Sequence, residues 1–120
     1  MSTVAIVLVA LVALLHVYFL VLEMFLWTKP AGRRAFGTTQ EQAEQSKVLA
    51  ANQGLYNGFL AAGLFWSLTR ATDGRPIAIF FLLCVIAAGV FGAATASRKI
   101  LYVQALPATL ALLAVVLGER

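Results

Sequence analysis

Long apolar runs separated by short polar breaks set the pattern of the chain. Four runs stand out, about residues 3–27, 48–68, 76–97 and 100–117. Each is near the ~20 residues that a helix needs to cross a ~30 Å hydrocarbon core, so the pattern predicts four helical spans. The fourth is the shortest and holds Pro107. That proline removes a backbone donor and predicts a kink, or a re-entrant segment in place of a crossing. In "TKPAGRRAFGTT", Pro30, Gly32 and Gly37 predict a loop. Thr38 with Glu41 three residues later fits a capping box. The second helix is thus expected from near Thr39, with "QEQAEQSK" as a polar extension standing in water. "ATDGRP" is a second tight break, with Asp73 or a neighbour capping a helix that carries Pro76 in its first turn.

Composition agrees with this pattern. The chain is 62% hydrophobic and 12% charged, against a soluble norm of about 45–50% apolar and about 25% charged. The expected class is an all-α polytopic membrane protein, a four-transmembrane-helix bundle forming a single domain over residues 1–120. Cys84 lies alone in an apolar run, which rules out an intrachain disulfide and a Cys/His metal pattern. The apolar first run exceeds a signal-peptide core and no basic residue precedes it, so it is expected to be retained.

A net charge of +4 raises the question of nucleic acid, but the basic residues sit at segment ends and form no stripe. They read instead as topology signals. The first and third loops hold Lys29, Arg33, Arg34, Lys47, Arg98 and Lys99, against Arg70, Arg75 and Arg120 on the other side. The positive-inside rule then places those loops in the cytoplasm and both termini outside. Trp27 and Trp66 suit anchoring at opposite interfaces.

Against this apolar background, the polar residues within the spans are conspicuous. His16 and Glu23 are seven residues apart and share one helix face, with Trp27 one turn further on. A central acidic residue costs ~2.5–3.5 kcal/mol on insertion scales, so Glu23 is expected to be turned inward, paired or protonated. Asn52, Gln53, Tyr56 and Asn57 cluster in the second span, and Tyr102 and Gln104 begin the fourth. Counting ~1.5 Å per residue from the helix centres puts Glu23 level with Asn52, and His16 level with Asn57. Glu23, Asn52, Gln53, Tyr56, Tyr102 and Gln104 then fall in the cytoplasmic half of the bilayer with His16 and Asn57 near the midplane as its floor, a pattern closer to a one-sided pocket than to a pore. Gly54, Gly58 and Ala62, and likewise Ala88, Gly92 and Ala96, form small-residue stripes that let helices approach closely. So short a bundle encloses little volume, and a homo-oligomer is expected.

The stretches "LHVYFLVLEMFLW" and "LAANQGLYNGFLAAGLFW", with Phe36 between them, resemble the domain of unknown function 1304 family of small bacterial integral membrane proteins. The likeness runs through essentially the whole chain. It implies a four-span protein of the bacterial inner membrane and carries no established activity. A more distant, architectural likeness is to the membrane-associated eicosanoid and glutathione enzymes. Lys47 precedes Asn52 here, but Leu55 stands where those enzymes have a glutamate.

The function expected first is binding or transformation of a lipophilic small molecule. Glu23 and His16 would be the catalytic pair, and Trp27, Asn52, Gln53, Tyr56, Asn57 and Gln104 the ligand-binding residues. The alternatives are a small proton-coupled exporter protonated at Glu23, and a membrane assembly protein whose polar groups tie helices together. Expected partners are membrane lipids, a lipophilic small molecule and further copies of the chain, with no nucleic acid. No cofactor is assigned, and one His with one carboxylate supplies at most half of a transition-metal site.

Overall fold

A computed structural model describes residues 1–118; Arg120, counted above among the outer basic residues, lies outside the described residues. Every element among those residues is helical. The order is α1 (Thr3–Met24), α2 (Pro30–Phe36), α3 (Gln40–Leu68), α4 (Gly74–Thr95), a π-helical turn (Leu101–Ala105) and α5 (Leu106–Leu117). The chain is therefore all-α, as its pattern predicts.

Local chemistry accounts for the helix ends. The Ser2 hydroxyl accepts the Ala5 N–H at 3.1 Å and starts α1. At α3 the capping box forms one residue later than expected. The Thr39 hydroxyl accepts the Gln42 N–H at 3.1 Å, and the Gln42 amide oxygen accepts the Thr39 N–H at 2.9 Å. Both Thr-x-x-Glu at 38 and Thr-x-x-Gln at 39 satisfy the pattern, and only the reciprocal bonds distinguish them. Asp73 stands at the N-cap of α4 without bonding its first turn. Its carboxylate is taken by the Arg70 guanidinium at 2.8 and 3.2 Å. That fork draws the Asp73 carboxyl below the ordinary carboxylate range and raises the Arg70 pKa, both chiefly through the shared hydrogen bonds.

Two departures from the expected elements matter for the site. First, α1 stops at Met24 and Trp27 lies in the turn beyond it. The N–H groups of Phe25 and Leu26 both reach the Val21 carbonyl, at 3.0 and 3.2 Å, which closes the helix. Second, the expected first loop contains α2, seven residues long, with Pro30 at its start and Gly37 at φ +67° ending it.

The chain packs as two compact units, and α1 and α3 each contribute to both. One comprises Met1–Ala13 and the described residues from Leu60 onward. Its buried seam is apolar, built from Ala5, Val9 and Val12 of α1, Leu64 of α3, Ala78, Leu82 and Val85 of α4, and Ala108, Ala111 and Val115 of α5. Small residues bring the backbones together. A Cβ on Gly89 would lie 2.8 Å from the Ala105 backbone nitrogen, so α4 and the π turn are in near-contact. The turn itself is a wide one in which the Leu106 N–H bonds the Leu101 carbonyl. It falls immediately before Pro107, whose missing N–H already interrupts the regular ladder. Arg75 at the start of α4 donates to the carbonyls of Val115 and Val116, both at 3.2 Å, and so closes the end of α5.

Where four spans are expected, two helices are long and apolar enough to cross a membrane, Thr3–Met24 and Gly74–Thr95, each of 22 residues. The apolar helix Leu101–Leu117 is shorter, and α3 owes its lower hydropathy to its polar start over residues 40–47 and to the polar residues 52, 53 and 57. Only 28% and 22% of the two apolar windows are buried. Val4, Leu11, Leu14, Phe80 and Phe91 are each more than half exposed.

Candidate functional site

The second unit, Leu14–Phe59, carries the buried polar chemistry. Along the two helices that contribute to it, buried positions recur at helical spacing. On α1 the buried series Ala5, Val9, Val12, His16, Glu23 keeps the 3.5-residue repeat of left-handed helix packing. On α3 Ala43, Ala50, Asn57 and Leu64 recur every seven residues. His16 and Glu23 thus occupy the same seam position two turns apart, in places where the other unit uses valine and alanine.

Glu23 is 3% exposed. Its two oxygens are held separately: Gln53 Nε2 donates to Oε2 at 3.0 Å and Asn57 Nδ2 donates to Oε1 at 2.6 Å. Gln53 and Asn57 stand one turn apart on α3, so one helix presents both donors to one carboxylate. The close approach that permits this is made at Gly54. A Cβ there would lie 3.1 Å from the Glu23 Cβ, 3.3 Å from the Leu20 carbonyl and 2.6 Å from the Met24 side chain. An ionised carboxylate offers about four acceptor positions, of which the two amides fill two.

His16 is fully buried in the same unit, edge-on to Phe19 with centroids 5.2 Å apart. Trp27 is half-buried. Its indole donates to the Ser46 hydroxyl at 3.0 Å, Ser46 donates in turn to the Gln42 carbonyl at 2.7 Å, and the Trp27 ring packs on Phe36 at 4.9 Å. This bond pins the turn after α1 to the first half of α3.

Not all the expected residues join the carboxylate. Asn57, expected level with His16, is a direct partner of Glu23. Asn52, expected at its level, is exposed on another side of α3, 100° round from Gln53. Tyr56 is 56% exposed and lies against Phe59 with ring centroids 6.0 Å apart. Gln104 lies half-buried in the π turn of the other unit, beside the exposed Tyr102. Ser46 was not foreseen. The signal for it was its spacing of seven residues before Gln53, which places it on the same side of α3.

Over residues 10–116 the sequence matches the family described as Protein of unknown function (DUF1304). It is 33% identical over 115 residues to the uncharacterized protein YpaA of Lactococcus lactis subsp. lactis (strain IL1403), covering 94% of this chain and 97% of that protein. No solved structure matches it.

Proposed function

The chain belongs to the DUF1304 family, and from that premise we propose that it is a four-span protein of the bacterial inner membrane that holds a lipophilic small molecule at Glu23. The first and third loops face the cytoplasm in this reading, and both termini lie outside. The mostly exposed surfaces of α1 and α4 support it, because the core helix of a soluble protein would be mostly covered. The observation that carries the binding role is the Glu23 carboxylate, buried and oriented by Gln53 and Asn57 with acceptor positions to spare. A neutral amide would tie α1 to α3 at lower cost in hydrocarbon, so an acid at this position serves something that needs an acceptor. The ligand class that fits has an apolar body and one hydrogen-bond donor or cationic head. If a reaction follows binding, Glu23 is the acid or base and His16 the second titratable group on the same seam. Exposed Asn52 and Tyr56 are costly against lipid and are covered by the ligand or by a second copy of the chain.

The test is native mass spectrometry of protein released gently from membranes, comparing wild type with Glu23→Gln. An organic adduct present in the first and absent in the second supports the site. The two amide bonds also favour a second reading, in which Glu23 only ties α1 to α3. That reading stands if both proteins give the same adduct-free assembly.

A further inference from the structure

The segment between α1 and α3 carries a second constellation, separate from Glu23. Pro30, Arg33, Arg34, Gly37 and Thr38 line a shallow, open groove of about 410 Å³. Two arginines line it, and neither has an acidic partner among the described residues, where the ion pairs are Lys47–Glu44 and Arg70–Asp73. Arg33 is positioned rather than loose, because its Nε donates to the Thr28 carbonyl at 3.3 Å and so orients the guanidinium. Thr38 contributes a third polar group. Its hydroxyl oxygen is shielded from water and has no hydrogen-bond partner among the described residues, an arrangement that folded proteins seldom leave uncompensated. Thr38 lines the groove, so an acceptor bound there and reaching this hydroxyl would satisfy it.

We propose that this groove binds the phosphate of an anionic lipid headgroup. Two arginines and a hydroxyl form a donor set suited to a tetrahedral oxyanion, which arginine contacts through paired N–H groups. A lipid is favoured over a water-soluble phosphate by what adjoins the groove. Trp27 packs on Phe36, the last residue of α2, Phe36 and Phe25 are exposed, and the apolar α1 ends at Met24. Aromatic side chains at the end of an apolar helix belong at headgroup level, and a basic pocket there meets the negative surface of the inner leaflet. The lipid assignment rests on the membrane reading given above.

Native mass spectrometry in a neutral detergent tests it, with phosphatidylglycerol, phosphatidylcholine and inorganic phosphate as probes. Wild type retains one phosphatidylglycerol per chain in preference to phosphatidylcholine. Arg33→Gln with Arg34→Gln weakens retention at least about ten-fold, and Thr38→Val, which keeps the shape, by about three- to ten-fold. Arg98→Gln with Lys99→Gln removes the same charge from the third loop and leaves retention unchanged. Equal retention by the Arg33/Arg34 variant, or equal loss in the Arg98/Lys99 variant, overturns the site in favour of general surface charge. Displacement of the lipid by inorganic phosphate overturns the lipid source. Failure of the membrane reading would appear separately, as extraction of the chain from membranes by alkaline carbonate without detergent.

Discussion

The Glu23–Asn57 contact provides a quantitative test of the site. Asn57 Nδ2 lies 2.6 Å from Glu23 Oε1 in a buried environment, and Gln53 reaches the other oxygen from a more exposed position. A hydrogen bond to a charged group contributes about 1.5–3 kcal/mol, whereas side-chain bonds within a bilayer average about 0.6 kcal/mol in double-mutant cycles. A cycle of Glu23→Ala and Asn57→Ala, in which each change removes the contact outright, therefore separates the two cases. We expect a coupling above about 1.5 kcal/mol, with Asn57→Ala alone costing more than Gln53→Ala, because nothing replaces a buried donor while polar surroundings partly replace an exposed one. The assay is reversible unfolding of the detergent-solubilised protein, followed by helicity, for wild type, both single variants and the double variant. A coupling near about 0.6 kcal/mol would mean that the carboxylate carries no special electrostatic role. A coupling of zero would refute the contact itself.

Two further expectations concern packing and pH. Gly58→Ala would meet only the flexible end of Leu20, so the gain in helix propensity, about 1 kcal/mol, makes it neutral or stabilising. Gly89→Ala would meet the backbone of Ala105 and lowers the melting temperature; equal effects of the two would contradict the close approach of α4 to the π turn. The Asp73 carboxyl, drawn down by Arg70, stabilises its turn above the ordinary aspartate range of about 3.9 and loses that effect as pH falls through its lowered pKa. Carbon-detected NMR should show an Asp73 midpoint that rises in Arg70→Gln, and a midpoint indifferent to Arg70 would remove the fork from solution. The stabilisation is small because the pair is exposed.

The apolar runs by themselves determined the all-α class and the existence of the long helices, since a run of that length buries its backbone groups only as helix. The seven-residue spacing of His16 and Glu23 likewise placed both on one face before any partner was known. Partner and register were another matter. Asn52, Gln53 and Asn57 are equally polar along the chain, and only the close approach at Gly54 decided that Gln53 and Asn57 reach Glu23 while Asn52 turns away. A helix rotates 100° per residue, so neighbours in sequence point in different directions, and depth counted along an axis carries no information about azimuth. The same limit hid α2 and moved Trp27 into a turn. Pro30, Gly32 and Gly37 signal a break, but whether seven residues between two breaks coil into a helix depends on what they fold against. Here the backbone of Leu26 and Trp27 packs so closely on Gly32 that it leaves no room for a side chain, and that contact exists only once the chain has turned back on itself.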